Sequence, residues 1–132
     1  MATIPVTRDS IEALIQNNPL VVLDFWAAWC APCRAFAPIF ERASKDHADF
    51  VFGKVDTEDQ QELAAMFGIS AIPTLVVFRD GIGVYQESGS MPERALEQLL
   101  EQVRRLDMDE VRKELEAQKD APDEVPWELR ED

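Results

Sequence analysis

The chain has 132 residues, 46% of them hydrophobic, and a net charge of −13. That length supports one domain around a single core, and the apolar content excludes a chain disordered throughout. The acidity argues against nucleic acid and anionic membranes as partners, because phosphate recognition needs clustered Lys and Arg.

The N-terminal stretch Met1–Ser10 lacks a basic segment followed by an apolar one, and no apolar run approaches the ~20 residues that span a bilayer. We therefore expect a soluble, cytoplasmic protein with no signal peptide and no membrane association. Ile11, Leu14 and Ile15 sit at helical spacing after Thr7-Arg8-Asp9-Ser10, and Asn17-Asn18-Pro19 ends that helix. Leu20 to Trp26 is apolar on both faces except at Asp24, which predicts a buried strand of a parallel or mixed sheet. Pro32 to Lys45 predicts a helix whose inner side carries Phe36, Ile39, Phe40 and Ala43, with a kink expected at Pro38.

Asp49 to Asp56 predicts a second strand, and Glu58 to Phe67 a helix closed by Gly68. Thr74 to Arg79 predicts a third strand, Asp80-Gly81 a hairpin turn, and Val84 to Ser88 a returning fourth strand. Ser90-Met91-Pro92-Glu93 has the pattern of a capping box before a helix bearing Ala95, Leu96, Leu99, Leu100, Val103 and Leu106. The order predicts an α/β fold with a mixed central β-sheet flanked by helices on both faces, its parallel crossover right-handed.

Beyond Leu106 the apolar pattern thins to Met108, Val111 and Leu115, and the Ala121–Trp127 stretch holds two prolines. Residues 1–106 carry 15 acidic and 9 basic side chains, while residues 107–132 carry 11 and 4, so the short tail holds about half the excess charge. We expect a domain over 1–106 and an acidic extension over 107–132, partly helical and then irregular.

Chemistry concentrates at Trp29-Cys30-Ala31-Pro32-Cys33, between the first strand and the helix after it. Cys30 and Cys33 are the chain's only cysteines. At i and i+3 on a first helical turn, two thiols can close a small disulfide ring with little movement. Cys30 at the helix N-terminus meets free N–H groups and the positive end of the helix dipole, both of which favour the nucleophilic thiolate. Pro32 suits the first turn, where its missing N–H has no helical partner. A zinc site is the weaker reading, since it usually takes four protein ligands and only these cysteines and His47 are available.

Asp24 interrupts an apolar strand. Burial would raise its pKa and suit it to take and return the proton of the second thiol, with Lys54 as its partner from the neighbouring strand. Ile72-Pro73-Thr74 enters the third strand, where Pro73 can occupy only a position that donates no ladder hydrogen bond.

The segment from Asp24 to Arg34 resembles the active-site segment of thioredoxins. Pro38, Lys54-Val55-Asp56, Gly68-Ile69, Ile72-Pro73-Thr74, Phe78, Gly81 and Gly89 follow in that family's order and spacing. The resemblance covers about Thr7 to Leu106. It implies the thioredoxin fold and reduction of protein disulfides, with Cys30 as nucleophile, Cys33 as buried resolving thiol, Asp24 in proton transfer beside Lys54, and Pro73 cis against the pair. It implies that Trp29, Ala31, Pro32, Ile72 and Gly89 receive the substrate. It also implies that no cofactor is bound and that electrons come from NADPH through a thioredoxin reductase.

Two features depart from the family pattern: Ala31 where glycine is usual, and the extension after Leu106, on which the family is silent. A thioredoxin-scaffold chaperone or binding module acting through the acidic tail is the alternative. An oxidant or isomerase would require a less stable disulfide and an oxidising compartment.

Overall fold

The computed structural model describes residues 2–120. A five-stranded sheet in the order β1-β3-β2-β4-β5 forms its centre. The elements run β1 (Thr3–Pro5), α1 (Ile11–Asn17), β2 (Leu20–Trp26), α2 (Ala31–Asp46), β3 (Val51–Asp56), α3 (Gln61–Met66), β4 (Thr74–Arg79), β5 (Ile82–Ser88), α4 (Glu93–Arg104) and α5 (Met108–Asp120). β1, β3 and β2 are mutually parallel, while β4 and β5 are antiparallel to their neighbours. The expected mixed sheet is therefore present, and it has one strand more than expected.

That extra strand, β1, is three residues long and contains Pro5, so it shows no readable alternation. Its pairing with β3 creates it, and an edge position tolerates proline. Val6 then closes over Gly53, where a Cβ would come within 2.6 Å of Val6 Cγ2 and 2.9 Å of Leu23 Cδ2, so only glycine fits.

Two cores flank the sheet. Val22, Phe52, Leu75 and Val77 face Phe36 and Phe40 of α2 and Leu96, Leu99, Leu100 and Val103 of α4. On the other side, Val21, Leu23, Phe25, Val55 and Val76 meet Ile11 of α1 and Leu63 and Ala64 of α3. Alternation along β2 thus sends even-numbered side chains toward α2 and odd-numbered ones toward α1 and α3.

Several boundaries moved for physical reasons. The Ser90–Glu93 capping box does not form: Pro92 is the N-cap with no side-chain cap bond, and Glu93 pairs with Arg42 at 3.2 Å instead. β3 begins at Val51 because the chain before it turns, the Phe50 N–H donating to the His47 carbonyl at 3.1 Å rather than to a neighbouring strand. Asp56–Gln60 forms a turn, so α3 is shorter than its apolar pattern. α2 runs unbroken through Pro38. At the hairpin, Asp80 and Gly81 both take positive φ (55° and 81°), as a tight primed turn requires.

The helical pattern does not run through Leu106. α4 ends at Arg104, and α5 begins after Asp107, whose carboxylate accepts hydrogen bonds from the N–H groups of Asp109 and Glu110. Met108 is buried and Arg112 reaches Asp80 at 3.4 Å, so the start of α5 packs on the domain. The irregular stretch expected over Ala121–Trp127 lies outside the described residues.

Candidate active site

Parallel pairing of β2 with β3, and antiparallel pairing with β4, bring four chain segments to one end of the sheet. These are the residues after β2, the turn after β3, the approach to β4 and the exit from β5. Open α/β sheets bind ligands beyond the carboxyl ends of their parallel strands, for this reason.

Cys30 and Cys33 form a disulfide there, with Cα atoms 5.2 Å apart. Cys30 is the N-cap of α2, and the Cys33 N–H donates to Cys30 Sγ at 3.2 Å, so a helix N-terminal donor points at this sulfur. Both cysteines are buried, while Trp29 beside them is 67% exposed. Its indole Nε1–H donates to Glu58 at 3.2 Å, and Arg34 donates to the Ala28 carbonyl at 2.8 Å. Ala31 and Pro32 are exposed on the first turn of α2.

The Ile72–Pro73 peptide bond is cis, as the resemblance implied. The Ile72 carbonyl oxygen lies 3.7 Å from Cys30 Sγ, and the Gly89 N–H donates to the Pro73 carbonyl at 2.7 Å. Trp29, Cys30, Ala31, Pro32 and Ile72 line one groove of about 430 Å³. Thr57, Ala64, Ile69, Ser70 and Ala71 complete it and escaped the sequence reading. Their signal was topological: residues 69–71 lie between the C-capping Gly68 and Pro73 and must cross this end of the sheet.

Asp24, Cys33 and Lys54 lie off the groove. Asp24 is fully buried in the middle of β2, and neither carboxylate oxygen has a hydrogen-bond partner among the described residues. It shares the face of Val22, so it looks toward α2, on which Cys33 stands one turn before Phe36. Burial pushes its pKa from 3.8 up to about 7, against a smaller opposing pull from the Lys54 ammonium. Lys54 is its register neighbour on β3 and makes no ion pair within 4 Å among the described residues; its Nζ sits 4.8 Å from the Trp26 ring. Among the described residues no cluster of three or more His, Cys, Asp or Glu side chains could hold a metal ion. None of their helices is long and apolar enough to cross a membrane.

A mixed sheet of this order, with a disulfide one turn into the helix after its central strand and a cis proline opposite, defines a thiol–disulfide oxidoreductase. The thioredoxin family model matches residues 2–102, and the chain belongs to that family. It is 48% identical over 112 residues to a thioredoxin 2 relative from Streptomyces coelicolor, covering 85% of this chain and 84% of that one. It is 41% identical over 103 residues to the thioredoxin of Alicyclobacillus acidocaldarius, covering 77% and 98%. Among solved structures, a mutant thioredoxin from Halobacterium salinarum superposes with a TM-score of 0.73 at 32% identity, covering 79% and 92%. The activity of the present chain is that of a protein-disulfide reductase working through the Cys30–Cys33 pair.

Proposed function

We propose that Cys30 is the nucleophile and Cys33 the resolving thiol of this reductase. The observation that carries the assignment is the position of Cys30 Sγ as the N-cap acceptor of α2, where the Cys33 N–H and the helix dipole favour negative charge on it. In the reduced form, the Cys30 thiolate attacks one sulfur of a substrate disulfide. A Cys30–substrate mixed disulfide forms and the other substrate sulfur leaves as thiolate. The Cys33 sulfur then attacks Cys30 Sγ, the mixed disulfide breaks, and the second substrate thiol is released. Two electrons have passed to the substrate, and the protein is left with the Cys30–Cys33 disulfide.

Cys33 must lose its proton before it attacks. Asp24 is the acceptor we assign: its carboxyl is buried on the face toward α2 and poised near neutrality, where it can both take and return a proton. Lys54 lies beside it in register and limits the rise of its pKa. Trp29, Ala31, Pro32 and Ile72 form the surface that receives the substrate, with Pro73 and Gly89 supporting it from β4 and the end of β5. The cycle closes when NADPH, through a thioredoxin reductase, returns two electrons to the disulfide, and the chain itself needs no cofactor. A cytoplasmic setting fits such a cycle, since it keeps the resting pair reduced. We take the redox unit as residues 1–106 and residues 107–132 as an appended acidic extension.

Insulin reduction coupled to NADPH and a thioredoxin reductase tests the roles. Cys30→Ser should abolish turnover. Cys33→Ser should instead trap a mixed disulfide with the substrate, visible by mass spectrometry. Undiminished turnover in Cys30→Ser overturns the mechanism.

A further inference from the structure

The groove wall formed by Ser70, Ala71 and Ile72 faces the disulfide, yet this backbone makes no main-chain hydrogen bond among the described residues. Its fixed point is a side chain. The buried Thr74 hydroxyl donates to the Ala71 carbonyl at 2.5 Å. The same Thr74 Oγ1 lies 3.0 Å from Ser88 Oγ, its register partner at the end of β5. A hydroxyl has one proton to give. The Ala71 carbonyl can only accept, so the Thr74 proton is committed to it and Ser88 is the donor to Thr74. The polarity of the relay is therefore set: Ser88 O–H to Thr74 O–H to Ala71 C=O.

We infer that Ser88 is a positioning residue for substrate docking: through Thr74 it fixes the height of the Ala71–Ile72 wall above Cys30. Next to it, the Gly89 N–H to Pro73 C=O bond ties the same loop to β5 through the main chain. The main-chain bond holds the loop at Pro73, and the hydroxyl relay holds it two residues further out, where the groove is lined. Without the Ser88 proton, Thr74 keeps its bond to Ala71 but loses its anchor on β5. Ser88 is exposed on an edge strand, so its hydroxyl contributes little to folding. Its effect falls on the wall that a substrate chain meets, and hence on KM more than on kcat.

The inference rests on the proposal that Ile72 belongs to the substrate-receiving surface, and the test separates the two. Steady-state reduction of insulin is measured for the native protein, Ser88→Ala, Ser88→Thr and Ile72→Ala. Losing an anchor worth one neutral hydrogen bond lowers the fraction of molecules that hold the wall in its docking position, and apparent affinity falls with that fraction, so KM should rise about three- to tenfold for Ser88→Ala. kcat and the thermal midpoint should stay at native values, and Ser88→Thr, which keeps the hydroxyl, should restore KM. An unchanged KM in Ser88→Ala overturns the inference, as does a KM that stays high in Ser88→Thr. A fall in kcat and thermal midpoint together without a change in KM would show a merely structural hydroxyl and also overturns it. If Ile72→Ala raises KM while Ser88→Ala does not, the docking surface stands and the relay alone fails; if neither moves KM, both fail.

Discussion

Asp24 and Asp49 show two opposite ways of placing a carboxylate in this fold. Asp24 sits in the central strand, fully buried, with no hydrogen bond among the described residues, and its pKa rises to about 7. Asp49 lies at the far end of the molecule, before β3, where Arg104 donates to both its oxygens at 2.7 and 2.9 Å and holds its pKa below the usual carboxylate value. Arg104 also stacks over Phe50 and donates to Nδ1 of His47, whose Nε2 is thereby left as the proton carrier toward Glu97 at 2.7 Å. Every polar group in that seam has a partner, and the seam fastens the end of α2 to α4. The Asp24 carboxylate, inside the central strand, is left without one among the described residues. Stability argues against such a group, and the proton transfer proposed for Asp24 needs a carboxyl able to change charge near neutral pH.

The largest expected effect follows from Asp24. A folded-state pKa raised from 3.8 to about 7 means that the native state holds a proton which the unfolded state has released. Stability therefore falls as pH rises through that interval, and the cost levels off above it at about 4 kcal/mol. In Asp24→Asn this slope disappears. Urea unfolding of the oxidised protein should show the stability difference between Asp24→Asn and the native chain growing by about 4 kcal/mol between roughly pH 4 and pH 9, in favour of the variant. The same substitution should remove the near-neutral inflection from the pH profile of Cys33 resolution. A pH-independent stability difference would mean that Asp24 is solvated and unsuited to the role proposed.

Arg104 gives the intermediate effect. Arg104→Met keeps much of the packing over Phe50 but removes the bonds to Asp49 and His47, and should cost about 2 kcal/mol. Insulin reduction at saturating substrate should remain native, because the seam touches none of the reacting atoms. A parallel loss of turnover would show that the two ends are coupled through α2, and the contrast between them would fail.

The two ends also differ in how far the sequence discloses them. Trp29-Cys30-Ala31-Pro32-Cys33, Asp24 and Pro73 are legible because each is an anomaly against a regular background: paired thiols, a charge in an apolar strand, a proline at a strand entry. The central strands β2 and β4 are legible from their length and apolarity. The seam is not, since Asp49, His47, Glu97 and Arg104 are ordinary surface residue types whose meeting depends on how α2 and α4 pack. β1 exists only by pairing, and the Ser90–Glu93 pattern describes a cap that the extended backbone at Pro92 and the Arg42–Glu93 contact replace. Ser88 and Thr74 are likewise unremarkable until strand register sets them opposite each other. Local signals identify residues that break a pattern, whereas contacts made by unexceptional residues require the fold.

The smallest effect belongs to Asp49, and its sign is opposite to that of Asp24. A depressed folded-state pKa means that the native state releases a proton more readily than the unfolded chain. The stabilisation is thus present above the unfolded value of 3.8 and is lost as pH falls through the folded value. The Asp49 side chain is 46% exposed, so solvent screens the pair with Arg104 and the gain is about 1 kcal/mol or less. Asp49→Asn should therefore destabilise the protein by that amount near neutral pH, more weakly at high salt, and not at all once the native carboxylate is protonated. Measured beside Asp24→Asn as pH falls, the two stability differences should move in opposite directions and in separate windows, that of Asp24→Asn between about pH 7 and 4 and that of Asp49→Asn below about pH 4. Curves that ran together would show that net charge, −13 on this chain, governs the pH response rather than the local surroundings of each carboxylate.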